Sequence, residues 1–348
     1  MPPPNPTGDF DFAPVSSLDA ERIEQFAREI WPGEGDRRNV LESWWMTSGA
    51  DVATAAVDRA SGRIAGLCVG VPSEWDVGGA SVSAVSICNW FVSPAFMGRG
   101  LGKALVQSFA QSAPYMNAFS VSGAAIENFR KMGWIGPYKS QLLLFTAPWP
   151  RSLWWRRHSE IAIETYRTDG AVIPPKLGDA LDKIDRERPA GLFRRKRRSD
   201  DWQAHLAYFP ERPFDIHIVR HRGQMIGYFA IRPADRFAGK LYRRARLHYV
   251  TDLVINSDQP EVVRAVLDTI IAVPAVRSAG AILLCTSDER VAAVAAASGW
   301  WSRETPLIGP RLNDKAPFYM KGDGFNSPAP DGRNLDLTFF DSDLDMNI

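Results

Sequence analysis

The sequence predicts an α/β protein made of two tandem copies of one fold, each a mixed, mostly antiparallel sheet flanked by helices. Three observations carry this. The chain has 348 residues, enough for about two domains at roughly 150 residues each. The segment DRASGRIAGLCVGVP, with Gly62, Gly66 and Pro72, recurs 161 residues later as VRHRGQMIGYFAIRP, with Gly223, Gly227 and Pro233. A Gly-Trp pair then closes a helical pattern in each half, at Gly133-Trp134 and at Gly299-Trp300.

The elements follow in the same order in both copies. Each opens on an amphipathic helix: Ile23, Phe26, Ala27 and Ile30 share one face in the first, and Leu177, Ala180, Leu181 and Ile184 in the second. The repeated glycine segment reads as a β-hairpin ending at a proline. A strand follows (83–92, then the stretch ending at Pro260). Next comes a helix whose apolar face is Leu101, Ala104, Leu105 and Phe109, or Val263, Val266, Leu267 and Ile270. A short strand, a second helix and a last strand complete each copy. Thr286 and Glu289 have the spacing of a capping box. Gly133 and Gly299 suit the left-handed position that ends a helix. Pro148 and Pro150 interrupt both periodicities. The chain therefore divides into a first domain at 1–146, a linker at 147–160, a second domain at 161–322 and an acidic tail at 323–348.

Composition excludes several classes. A hydrophobic fraction of 45% and a charged fraction of 23% are those of globular proteins. With 41 basic and 40 acidic residues the net charge is +1, so no global field recommends nucleic acid or an anionic membrane. Cys68, Cys88 and Cys285 lie in apolar runs at spacings unsuited to zinc, and read as buried free thiols in a reducing compartment. No stretch approaches the ~18 apolar residues of a membrane span, and the N-terminus has no secretory pattern. A cytoplasmic protein is expected.

The chemistry concentrates after Pro94, in AFMGRGLGKALV. Gly98, Gly100 and Gly102 follow a strand and open a helix. Glycine lets successive amides converge, and a helix N-terminus favours an anion. Arg99 and Lys103 add positive charge. The pattern fits neither a dinucleotide fingerprint, since Leu105 stands where a third glycine is needed, nor a Walker loop. It reads as a pyrophosphate cradle.

These residues resemble the GNAT acetyltransferase superfamily. Its first signature, Q/R-x-x-G-x-G/A, corresponds to Met97-Gly98-Arg99-Gly100-Leu101-Gly102, with Met97 departing from Gln or Arg. Its second corresponds to Ala125, Phe129, Lys131, Gly133 and Trp134. The resemblance covers residues 10–146 by motif and 160–322 by fold. It implies tandem GNAT-like domains, with acetyl-CoA bound in a V-shaped gap between the fourth and fifth strands. Trp90, Phe91 and Val92 would pair with the pantetheine arm, residues 97–103 would hold the pyrophosphate, and Phe129 would line the site. An amine would attack the thioester directly. The family's proton-donating Tyr corresponds to Phe129, which has no proton to give. Tyr138, Ser120 and Tyr115 are the alternatives. Asn89 can orient a water or a substrate group, and Cys88 is a further polar candidate on its strand.

The second copy has no glycines in its loop, INSDQPEVVRAV, and Asp258 and Glu261 make its helix entrance acidic. It is not expected to bind CoA. His248 and Asp252 share a face at period two, either as a general-base pair or as polar groups toward solvent. Residues 186–198 hold seven basic and one acidic side chain, a local +6. A solvated face is the leading reading of this run, ahead of a site for a phosphorylated or nucleotide-linked substrate and ahead of nucleic acid. Asp341, Asp343 and Asp345 lack the glycine of a calcium loop, so no metal is expected. The tail loosely resembles that of acetyltransferase-like proteins found with bacterial polysaccharide genes. The expected function is acetyl-CoA-dependent transfer to a small-molecule amine, with an amino sugar as the acceptor suggested by that tail. The rival is a non-catalytic GNAT-fold protein that binds CoA for regulation or assembly. Expected partners are the small-molecule amine and at most a second copy in a homodimer; no nucleic acid and no membrane are expected.

Overall fold

A computed structural model describes residues 8–30, 53–109, 115–118, 121, 123–139, 141–146, 158–168, 172–208, 214–233, 246–302, 317–322, 335–336 and 338. In the first half the elements are β1 (Phe10–Pro14), α1 (Ala20–Ile30), β2 (Ala53–Asp58), β3 (Ile64–Val77), β4 (Ala80–Val92), α2 (Leu101–Ser108), β5 (Tyr115–Ala118), α3 (Gly123–Lys131), β6 (Ile135–Lys139) and β7 (Gln141–Thr146). The second half begins with β8 (Ile161–Thr168), α4 (Pro175–Arg186), β9 (Phe193–Arg195), α5 (Ser199–Tyr208), β10 (Phe214–His221), β11 (Gln224–Pro233) and β12 (Arg246–Ile255). It continues with α6 (Pro260–Ala272), α7 (Pro274–Ala279), β13 (Gly280–Thr286), α8 (Glu289–Ala297), β14 (Trp301–Ser302), β15 (Pro317–Gly322) and β16 (Leu335–Asp336).

The two sheets have matching orders, β1-β2-β3-β4-β5-β15-β6 and β8-β10-β11-β12-β13-β7-β14. Within these orders only β4–β5 and β12–β13 are parallel. The fold class is thus the expected one, two mixed, mostly antiparallel sheets with helices. The sheets do not part at 146/147, however. β7, from the first half, pairs with β13 and β14, and β15, from the second half, pairs with β5 and β6. Each half gives its last long strand to the other's sheet. The exchanged strand carries core residues with it: Leu143 and Phe145 are buried among the side chains of α6 and α8, and Phe145 lies 5.5 Å from the Trp300 ring. Most of the linker at 147–160 and of the tail lies outside the described residues.

Local features follow the periodicities. α1 buries Ile23, Phe26 and Ala27 against Leu67 and Val69 on one face of the first sheet. α2 buries Leu101, Leu105 and Val106 on the other. The repeated glycines have a packing reason. A Cβ on Gly227 would run into the Val254 carbonyl, and one on Gly66 would come within 3.0 Å of the Phe91 carbonyl. Both Gly-Trp stops close their helices alike: Trp134 N donates to Phe129 O and Trp300 N to Ala295 O, with Gly133 and Gly299 at positive φ.

Several expectations need correction. A strand precedes the first helix in each half, β1 or β8, and both are sheet edges. Pro72 lies inside β3, between the stretches paired with β2 and with β9, where among the described residues no flanking ladder needs its missing N–H. Asp288, not Thr286, caps α8, accepting from the Arg290 and Val291 amides. Thr286 instead accepts from Asp288 N. A bulge places Ala230 opposite Asp252 but Ile231 opposite Val250, so period two breaks between His248 and Asp252. Asp252 is fully buried, neither a base in a cleft nor a group facing solvent.

The basic run is the largest correction. It is no solvated face: Arg188, Arg194, Arg195 and Arg197 are all buried. β9 adds to the first sheet beside Trp75–Val77 and carries β16 on its other side. Arg194 pairs with Asp185 and reaches Asp76, and Arg198 pairs with Glu74 at 2.7 Å. Arg197 Nε sits 2.9 Å from both Asp252 oxygens, while Thr338 and Tyr228 donate to the same carboxylate. A buried charge is tolerated only when paired and hydrogen-bonded. Burial and the neighbouring Arg197 and Arg194 push Arg188 down to about 9. Cys68 and Cys285 are buried and in no disulfide, as expected, and burial pushes the Cys68 thiol upward.

Two stability predictions follow. Arg197→Met strands the buried Asp252 charge and should cost about 3–5 kcal/mol in urea unfolding, with Arg197→Met/Asp252→Asn losing less. His217 is 2% exposed, stacks on Phe229 and shares a hydrogen bond with Thr165 Oγ1. Burial lowers its pKa from 6.5 to about 4. Between these values the unfolded chain takes up a proton that the native state refuses. Stability should therefore fall as pH drops through that window, by at most ~1.4 kcal/mol per unit, and His217→Gln should flatten the slope of melting temperature against pH.

Candidate functional site

Among the described residues, β4 and β5 pair on three rungs, Ala84–Tyr115, Val85–Met116 and Ser86–Asn117, and no further. β4 continues to Val92, paired only with β3 on its other side. The parting begins beside an irregularity: Leu67 faces Phe91 but Val69 faces Cys88, and Asn89 adopts a left-handed φ of 47°. A bulge of this kind bends the strand and re-aims its side chains. Among the described residues, no strand ladder runs along Trp90–Val92 on the β5 side.

The glycine loop lies at the end of that stretch. After a 3-10 turn at Pro94–Phe96, Gly98 and Gly100 have φ of 79° and 76°. Gly100 is the N-cap of α2 and has no side chain to cap it, so the first amides of the helix are left to a ligand. The loop is braced against β4: Trp90 Nε1 donates to Gly102 O at 3.1 Å, and the indole lies where a Gly102 Cβ would be. Leu101 is buried in the core, Lys103 is exposed and Met97 is 64% exposed. Arg99 turns to β1, where it pairs with Asp9 at 3.2 Å and lies over the Phe10 and Phe96 rings.

Phe129, on α3, is buried, with its ring 5.0 Å from Trp90 and 4.4 Å from Trp134. It acts as a wedge under β4. Asn89 is buried, and its Nδ2 has no hydrogen-bond partner. Ser86 Oγ and Asn117 Oδ1 are likewise buried and unpartnered. The sequence reading missed these last two, although a Ser and an Asn interrupting the apolar strands SAVSI and YMNA were the available signal. Tyr115 starts β5, at the end away from the opening. Tyr138 falls on β6 opposite Phe318, with its side chain outside the described residues. Ser120 and the Cys88 side chain also lie outside them.

The second sheet has the same parting but not the same loop. α6 starts at Gln259-Pro260 with Glu261 in its first turn, and Asp258 pairs with Arg290. An acidic helix N-terminus repels a phosphate. Among the described residues no cluster of His, Cys, Asp and Glu could hold a metal, and no helix is long and apolar enough to cross a membrane.

Residues 19–134 match the model of the acetyltransferase (GNAT) family. A search of the curated proteins finds no match. Among solved structures, the fold is similar to a GCN5-related N-acetyltransferase from Anabaena variabilis, with a TM-score of 0.56 and 14% identity over 89% of this chain and 72% of that one. It is also similar to a GCN5-related N-acetyltransferase from Kribbella flavida, with a TM-score of 0.54 and 14% identity over 90% and 71%. A third is the N-myristoyltransferase of Saccharomyces cerevisiae, solved with myristoyl-CoA, with a TM-score of 0.51 and 10% identity over 90% and 82%. At these identities the likeness is one of fold, and it spans both sheets.

The loop geometry yields a stability prediction. A Cβ on Gly98 meets nothing within 4 Å, so Gly98→Ala should cost only the ~1 kcal/mol of a strained φ. A Cβ on Gly102 comes within 3.0 Å of Trp90. Gly102→Val should therefore cost more, ~1–3 kcal/mol, by forcing the indole off its bond to the loop. Thermal unfolding of the two variants checks the order.

Proposed function

We propose that the protein is an acetyl-CoA-dependent N-acetyltransferase acting on a small-molecule amine, with an amino sugar as the acceptor suggested by the acidic tail. Its first half is the cofactor-binding half. The observation that carries this reading is the parting of β4 and β5 beside an uncapped, glycine-opened helix N-terminus.

The residues present fit the cofactor. The β5-side edge of Trp90–Val92 offers peptide groups to the amides of a pantetheine arm, in the manner of an added strand. The amides from Gly98 to Lys103 converge on a pyrophosphate, and the α2 dipole and Lys103 add favourable charge. Met97 contributes its backbone alone, so its departure from Gln or Arg leaves the cradle intact. The Trp90–Gly102 bond sets the spacing between strand edge and loop, and Phe129 supports Trp90 from below. Bound acetyl-CoA supplies an acetyl group activated as a thioester. The chain then has to hold the acceptor amine against that group, which alone contributes much of the rate. The unpartnered Asn89 amide donates a hydrogen bond at the bulge, where it orients the amine or a water. A proton donor for the leaving sulfur comes from Tyr138 or Ser120, since Phe129 has none.

One observation favours a second reading. Phe129 is 1% exposed and packed between two tryptophans, so the residue in the family's acid position is a core residue. A non-catalytic protein that binds CoA for regulation or assembly is compatible with that.

Calorimetric titration of acetyl-CoA tests the proposal. The wild type should bind, and Gly100→Val, which forces a β-branched residue to a φ of 76°, should weaken binding at least about tenfold. No binding at high micromolar protein overturns both readings. Binding without thiol release on any member of a broad amine panel favours the second.

A further inference from the structure

Ser86 and Asn117 face each other across the last rung before β4 and β5 part. Their side of the sheet is known from their neighbours. Val85, Ile87, Met116 and Ala118 alternate into the core under α2 and α3. Ser86 lies opposite Val71, which packs on the α1 side. The pair therefore looks out on the sheet face opposite the pyrophosphate-loop helix.

Asn117 is 2% exposed, and its Oδ1 has no partner; Ser86 is half-buried, with its Oγ buried and likewise without a partner. Leaving a buried polar atom unsatisfied is costly, and native structures keep few of them. Two on one rung, with Asn89 Nδ2 a third within three residues along β4, make a polar recess at the opening. The equivalent rung of the second sheet joins Tyr249 and Leu283, both buried and bulky. The recess is thus particular to the half that has the glycine loop.

The two strands themselves are neutral. β4 and β5 read ASVSAVSICNWFV and YMNA, without an Asp, Glu, Lys or Arg. A second ammonium group would find no countercharge on these strands. A hydroxyl finds an acceptor in Asn117 Oδ1 and a donor or acceptor in Ser86 Oγ.

We propose that Ser86 and Asn117 are specificity-determining residues that bind a hydroxyl group of the acceptor, so that the site selects hydroxylated amines, amino sugars included, over diamines. This rests on the acetyl-transfer reading for the meaning of "acceptor", but the recess is testable by direct binding. Glucosamine and cadaverine are titrated separately into the wild type, Asn117→Leu and Ser86→Ala. Glucosamine should bind the wild type more tightly than cadaverine does, and each substitution should raise its Kd about tenfold. Asn117→Leu, nearly isosteric and rid of an unsatisfied group, should keep or raise the melting temperature and leave the acetyl-CoA Kd unchanged. Equal binding of the two amines, wild-type glucosamine affinity in Asn117→Leu, or a lowered melting temperature in that variant overturns the assignment. Glucosamine binding that depends on Asn117 without any acetyl-CoA binding sustains the recess and overturns acetyl transfer instead.

Discussion

The exchange of β7 and β15 is the constraint on which the other features rest. Among the described residues, β6 joins the first sheet only through β15, and β14 joins the second only through β7. Among the described residues, neither half closes its sheet from its own strands. β5, four residues long, is held on its outer side by β15, which supplies ladder bonds that a strand this short needs. With that side secured, β5 can leave β4 after three rungs without dissolving the sheet. The opening beside the glycine loop in the first half thus depends on a strand that begins at residue 317.

A second link between the halves is electrostatic. Segment 193–198 leaves the second half, adds β9 to the first sheet, and places Arg194 between Asp185 of one half and Asp76 of the other. Burying ion pairs seldom adds net stability, because desolvation offsets much of the attraction. Their value lies in specificity: a wrong docking of the halves would part Arg194 from Asp76 and Arg198 from Glu74. Hydrophobic burial drives the association, and the charge pairs fix its register.

Much of the site was legible in the chain. Gly98, Gly100 and Gly102 after a strand and before a helix determine a local backbone shape, and local shape follows from local sequence. Phe129 in place of a tyrosine was legible for the same reason, as the lack of a hydroxyl. The role of Arg99 was not, because Asp9 lies 90 residues away and a charge goes to the partner that folding brings nearest. Ser86 and Asn117 were passed over because a polar residue in a strand reads as solvent-facing. Only the sheet as assembled shows Ser86 Oγ and Asn117 Oδ1 buried on one rung.

The sequence by itself determined the fold class, the doubled order of elements, the helix faces, the glycine turns and the glycine loop that opens α2. These depend on spacings of two to four residues and on the conformational reach of glycine and proline, and so they are written locally. The tertiary structure alone decided which sheet β7 and β15 join, that the +6 run is buried rather than solvated, and which polar groups are left without partners. A strand's edge is chemically the same toward any neighbour, and a charge carries no mark of its counterion. Such choices are made by contacts between separate elements of the chain, where periodicity carries no information.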